Sequence, residues 1–117
     1  MVKRVIVLLF PLLLSASSAN QIICRIEEQR VLCIYFIDRS DNAHGLSVRF
    51  IWHSPDGKDD RIQLFHVPPY HGSVYDYRFL PGREQGRWIV EVVDLKSHKK
   101  ATTSFEINES SEDFFAD

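Results

Sequence analysis

Gly86-Arg87-Trp88-Ile89-Val90-Glu91-Val92-Val93-Asp94 is the stretch that decides the fold. Trp88, Val90 and Val92 fall on one side of an extended chain. Arg87, Ile89, Glu91 and Val93 fall on the other. A period of two with large apolar residues on one face predicts a half-buried β-strand, and the glycine before it marks a turn. Such a strand needs partners, and the other apolar runs of the chain supply them.

Downstream, Leu95-Lys96-Ser97-His98-Lys99 is a turn. It leads into Lys100–Ile107, with Ala101, Thr103, Phe105 and Ile107 inward, so these last two strands form a hairpin. Upstream, Leu80-Pro81-Gly82-Arg83-Glu84-Gln85-Gly86 is a turn after the strand Ser73–Leu80. Tyr75, Tyr77 and Phe79 share one face of that strand. Pro68-Pro69 ends the strand before it, because two prolines do not fit inside a central strand. Leu46–His53 places Leu46, Val48, Phe50 and Trp52 together. Ser54-Pro55-Asp56-Gly57-Lys58 then suits a type I turn closed by a left-handed glycine. A three-residue loop there faces Ser54 with Lys58, Phe50 with Ile62, Val48 with Leu64 and Leu46 with His66. It leaves Trp52 opposite Asp60 at a wet rim.

Nearer the N-terminus, Gln21–Ile26 folds back on Arg30–Ile37. A two-residue turn at Glu28-Gln29 places Glu27 against Arg30, Ile26 against Val31 and Cys24 against Cys33. Counting from the turn, the cysteines reach a non-hydrogen-bonded site, where α-carbons approach closest, so a Cys24–Cys33 disulfide is expected. Glu-Gln is a poor hairpin turn, and a four-residue loop with a shifted ladder is the alternative. Val31, Cys33, Tyr35 and Ile37 alternate with Leu32, Ile34 and Phe36. Both faces are apolar, which predicts a central strand. Asp38 to Gly45 is a polar loop. Seven short strands predict an all-β antiparallel β-sandwich of immunoglobulin or fibronectin type III kind.

The ends of the chain read differently. Lys3-Arg4, the apolar run Val5–Leu14 and Ser15-Ala16-Ser17-Ser18-Ala19 compose a signal peptide, 1–19, cut after Ala19. The apolar run is too short for a bilayer, which needs about 20 residues; a retained anchor is the alternative. Residues 20–107 form the sandwich domain, and 108–117 an acidic flexible tail that includes Phe114-Phe115. That tail, if not merely mobile, has the composition to dock on a partner or an open sheet edge. Loss of Lys3 and Arg4 takes the formal charge of the 117-residue chain from −2 to −4. No clustered basic face marks a nucleic-acid partner. The expected location is periplasmic or secreted, where disulfides persist.

Several segments together resemble a bacterial extracytoplasmic domain family of unknown function. They are Phe50-Ile51-Trp52-His53 before Asp56-Gly57-Lys58, Arg78-Phe79-Leu80-Pro81-Gly82, the Gly-x-Trp-x-Val-x-Val strand from Gly86, and Ser104-Phe105-Glu106-Ile107. The resemblance spans about residues 46–107. It implies an immunoglobulin-like sandwich outside the cytoplasm and carries no catalytic residues. The chain departs from the family at Tyr75 and Tyr77, and at Leu95-Lys96-Ser97-His98, where the family has a glycine-bearing turn.

Chemistry-bearing residues are sparse. In the register above, His53 and His66 occupy opposite faces of a sheet and cannot share a metal. His66 and His71 straddle the two prolines without a third ligand, so no metal and no cofactor are expected. His71-Gly72-Ser73 and Asp76 lack the Gly-x-Ser-x-Gly elbow of a hydrolase, and Asp59-Asp60 read as a solvated rim. No enzyme is expected. Tyr70, His71, Tyr75 and Tyr77 are the candidate binding residues, in one region with Pro68-Pro69. A core position is the first reading for Tyr77 and Phe79; Tyr70, in a loop, is expected outside. These features predict a small exported non-catalytic module that binds a protein partner or serves structurally in the cell envelope. A carbohydrate-binding module using Tyr70, Tyr75 and Trp52 as an exposed row is one alternative. An inhibitor or immunity protein for an exported enzyme is the other.

Overall fold

The computed structural model describes residues 20–38 and 44–108. The expected signal segment 1–19 lies outside the described residues, as do residues 109–117 of the expected tail. Seven strands are present: β1 (Gln21–Glu27), β2 (Arg30–Phe36), β3 (Leu46–His53), β4 (Arg61–Val67), β5 (Ser73–Phe79), β6 (Gly86–Asp94) and β7 (Lys100–Ile107). They make two antiparallel sheets, β1-β2-β5 and β4-β3-β6-β7, packed as a β-sandwich. In the immunoglobulin constant arrangement the fourth strand lies beside the fifth. Here it pairs with the third, in the other sheet.

The core is supplied by the alternations the sequence displays. Trp88, Val90 and Val92 of β6 meet Val48, Phe50 and Trp52 of β3 across one sheet. Val31, Cys33 and Tyr35 of β2 face them from the other, and all nine are buried. Trp88 stacks on Phe105, with 5.9 Å between ring centroids, and Trp52 meets the same ring edge-on at 6.2 Å. Each fully buried large apolar side chain contributes about 1.5–3 kcal/mol relative to exposure. Tyr35 keeps its hydroxyl satisfied by accepting a 2.9 Å hydrogen bond from Asn20 Nδ2, and burial raises its pKa.

The β1–β2 hairpin adopts the expected two-residue turn, with Glu27 opposite Arg30 and Cys24 opposite Cys33. Glu28 takes φ 55°, a left-handed conformation where a glycine is usual. The disulfide forms, with α-carbons 4.0 Å apart. It fits an oxidising compartment. At the β6–β7 turn, Asp94 Oδ1 accepts hydrogen bonds from Lys96 N and Ser97 N at 2.8 and 3.2 Å. His98 takes φ 65°, the left-handed conformation that a glycine would supply.

Two expectations are corrected. The β3–β4 loop is longer than a three-residue turn, so the ladder moves by one residue. Phe50 faces Gln63, Val48 faces Phe65, Leu46 faces Val67 and Trp52 faces Arg61. The loop holds itself: Asp60 Oδ1 accepts from Ser54 N at 2.7 Å and from Ser54 Oγ at 2.9 Å, while Asp59 N donates to Ser54 Oγ. The Ser54 hydrogen bonds lower the Asp60 pKa. A one-residue slip turns a strand over. Phe65 and Val67 therefore point inward, and Ile62 and Leu64 lie exposed. It also places His66 on the same outer face as His53, not the opposite one. They remain apart, since His53 lies beyond the Trp52–Arg61 pair and His66 pairs with Ser47, about 20 Å along the strand.

The second correction concerns β5. Tyr75, Tyr77 and Phe79 face solvent, so the core reading of Tyr77 and Phe79 fails. The inward face carries Val74, Asp76 and Arg78. Charged residues can occupy it because Trp52, Arg61 and Asp59 are placed to pair with them.

Candidate functional site

The sandwich is closed along one side, where β1 packs against β7. It is open along the other, where β4 and β5 barely touch. β4 and β5 are edge strands of different sheets, and a groove of about 740 Å³ runs between them. Such a volume falls in the range of ligand clefts, roughly 300–1,000 Å³.

One end of the groove is ionic. Asp76 is 7% exposed and anchors the cluster. Its Oδ2 accepts from the Trp52 indole Nε1 at 2.9 Å, and both carboxylate oxygens accept from Arg61 Nη2 at 2.8 Å. Beside it, Arg78 donates to the Asp59 carbonyl at 2.9 Å and to Asp59 Oδ1 at 2.8 Å, and Arg83 reaches the same carboxylate at 3.0 Å. The Arg78 guanidinium lies 5.7 Å from the Trp52 ring and 5.5 Å from the Trp88 ring. Burial lowers the pKa of Arg78, and Asp59 opposes the shift. Asp59, half-buried, is therefore a structural acceptor, while Asp60 accepts from Ser54 and stays exposed at the rim. Trp52 is fully buried, so neither a wet rim position nor an exposed sugar-stacking row can include it.

The same cluster closes part of the β5 edge. Tyr77 N donates to Asp76 Oδ1 at 2.9 Å, and Tyr77 O accepts from Arg61 Nη2 at 3.0 Å. Both backbone groups of Tyr77 thus point away from β2 and are capped by side chains. In an antiparallel ladder every second residue points the same way. Tyr75 and Phe79 therefore direct their backbone groups to the open edge as well.

The outer face of the β1-β2-β5 sheet adjoins this edge and carries an apolar band, bordered by the charged Arg25, Glu27 and Arg30 and by Gln21 and Ser73. Ile23, Ile34 and Tyr75 lie opposite one another across the three strands, and Leu32 lies opposite Tyr77. Ile23 is 50% exposed and Tyr75 58%. Tyr77 packs edge-on to Phe79 at 5.5 Å, with the Arg30 guanidinium 4.9 Å over its ring. Contiguous exposed apolar surface of this kind marks an interaction face.

Of the candidate binding residues, His71, Tyr75 and Tyr77 border the groove. Tyr70 is exposed at φ 71° but does not line it. Sequence reading missed Arg78, Arg61 and Arg83, and weighed Asp76 only as a hydrolase carboxylate. Asp76 and Arg78 share a phase opposite to the tyrosines, so the clue was present. Only knowing which face meets Trp52 gives it meaning. Among the described residues no group of three His, Cys, Asp or Glu is placed to hold a metal ion. Among them, too, no helix is long and apolar enough to cross a membrane.

Compared with protein-family models, curated proteins and solved structures, the chain finds no match.

Proposed function

We propose that this protein is a small exported, non-catalytic binding module, periplasmic or secreted, with an immunoglobulin-like or fibronectin type III-like sandwich. Its partner is a protein of the envelope or medium. The observation that carries this reading is the apolar outer face Ile23-Ile34-Tyr75, continuous with an open strand edge. A monomer gains nothing from leaving that face in water, and a partner buries it. The disulfide is consistent with that location. The same face serves an inhibitor or an immunity protein equally well, and the partner's identity separates these roles.

Affinity capture from native envelope and medium, with the cysteines oxidised, tests the reading. A single stoichiometric protein is expected, lost in Ile23→Lys and Tyr75→Ala while folding is retained. A partner that still binds both variants defeats this choice of surface. The exposed rings of Tyr70 and Tyr75 favour a second reading, a carbohydrate-binding module. Retention on a polysaccharide matrix without any protein partner supports it, and a silent glycan array removes it.

A further inference from the structure

We infer that the chain pairs with a second copy of itself through the free edge of β4, antiparallel and with the two-fold axis at Leu64, so that two sandwiches share one continuous sheet. The phase of the ladder opens that edge. Leu95 N donates to Ser47 O at 3.0 Å, so Ser47, and with it Arg49 and Ile51, turns its backbone groups toward β6. Val48, Phe50 and Trp52 therefore turn theirs toward β4, where Phe65, Gln63 and Arg61 meet them. The N–H and C=O groups of Ile62, Leu64 and His66 are left pointing away from the sheet. Among the described residues nothing bonds to them.

A free edge is a template for another strand, and folded proteins blunt theirs with charges, prolines or bulges. The other edges of this sandwich are managed. β1 carries Arg25 and Glu27, β7 carries Lys100 and Glu106, and the two strands pack against each other. β5 has the backbone of Tyr77 capped by Asp76 and Arg61. β4 has no such device. After Arg61 it reads Ile62-Gln63-Leu64-Phe65-His66-Val67, without a lysine, a carboxylate or a proline, and its register with β3 runs unbroken by a bulge. Ile62 and Leu64 are each 63% exposed.

The occupant is a second copy because the edge complements itself. With Leu64 opposite Leu64 of the second copy, Ile62 falls opposite its His66 and His66 opposite its Ile62. All are residues with outward backbone groups, so every pair exchanges both hydrogen bonds and none of those groups is left over. A shift of two residues either way sets His66 against Asp60 or Ile62 against Pro68, both outside the strand. In the Leu64 register Gln63 meets Phe65 and Arg61 meets Val67, so no like charges face each other. The two Leu64 α-carbons lie about 5.5 Å apart, and their exposed side chains cover each other. Such a two-fold contact is closed and stops at two copies. A strand of seven residues is about 23 Å long. Paired along one edge it buries less than about 1,200 Å² in total, which makes a weak, concentration-dependent dimer. The apolar band Ile23-Ile34-Tyr75 lies on the other sheet, so the dimer presents it twice, and this inference holds whether or not that band binds a partner.

Sedimentation velocity of the purified chain, its disulfide intact, over about 10 μM to 1 mM tests it. A monomer–dimer equilibrium is expected, with nothing larger. Leu64→Lys sets two ammonium groups opposite each other and should weaken the dimer at least about tenfold, and Leu64→Glu should do the same with carboxylates. Mixed in equal amounts, the two variants should recover a heterodimer, because residue 64 faces itself only across this axis. Leu64 is exposed, so both variants should keep the tryptophan fluorescence of the folded chain. Amide hydrogen exchange at Ile62, Leu64 and His66 should slow as concentration rises, while Tyr75 and Phe79 exchange at an unchanged rate. A chain that stays monomeric throughout that range overturns the inference, and an edge reserved for a foreign strand would give that result. A dimer that neither variant weakens, a mixture that does not recover, protection that appears on β5 instead, or open-ended oligomers overturn it equally.

Discussion

Replacing Asp76 should be the most damaging single change outside the apolar core. The Asp76 carboxylate holds the Trp52 indole N–H, the Arg61 guanidinium and the Tyr77 N–H at 2.8–2.9 Å. In Asp76→Ala the indole N–H of a fully buried ring loses its acceptor, at about 1–3 kcal/mol. Arg61 loses a charge-assisted bond as well. Breaking a buried pair costs about 3–5 kcal/mol. Arg61 is 34% exposed and water can rehydrate it, so the lower end, about 3 kcal/mol, is expected. Asp76→Asn keeps the shape and one acceptor oxygen and should lose about half as much. At about 4–8 °C per kcal/mol for a domain of this size, Asp76→Ala lowers Tm by about 12–24 °C. Urea unfolding followed by the fluorescence of Trp52 and Trp88 measures both variants, and a cycle with Arg61→Ala isolates the pair. The alanine variant also uncaps the β5 edge at Tyr77, so it should self-associate with rising concentration. Losses below about 0.5 kcal/mol in both variants, with no coupling to Arg61, would refute the network's structural role.

Three further outcomes are expected. Reduction of Cys24–Cys33, nine positions apart, should cost about 2.6 kcal/mol by loop-closure entropy, seen as a lower Tm in reductant. Gly86→Ala should destabilise by more than about 1 kcal/mol in chemical denaturation. Gly86 sits at φ 128°, and an added Cβ would lie 2.9 Å from the Pro55 ring. Glu91 has its pKa lowered by the hydrogen bond from His53 Nε2 and by nearby Lys100. Its folded pKa lies below the unfolded value of about 4.3. The stabilisation is full above that value and is lost as pH falls through the folded pKa. Glu91→Gln should therefore flatten the acid side of a Tm-versus-pH curve below about pH 4.3, and an unchanged slope would rule this contribution out.

The sequence by itself determined the all-β class, the strands and two of the hairpins. β6 carries its alternation openly, and β7 repeats it with the same sense. The cysteine spacing and the short turn between β1 and β2 leave one ladder that brings Cys24 to Cys33, even though Glu28 is an unfavourable turn residue. These signals are local, written in period and spacing, and no distant contact reverses them. Tertiary structure alone decided what faces what. On β4 the three-residue turn and the longer loop differ by one position. The choice fell to Asp60 capping Ser54, a contact no periodicity displays. On β5 both faces have side chains that a core could accept, three aromatics or an Asp–Arg pair. Trp52 and Asp59, carried in by another strand and a loop, offered partners to the charges, so the aromatics went to solvent. Strand phase is a property of the chain; its direction relative to the core is a property of the neighbours, and the candidate site lies where neighbours made that decision.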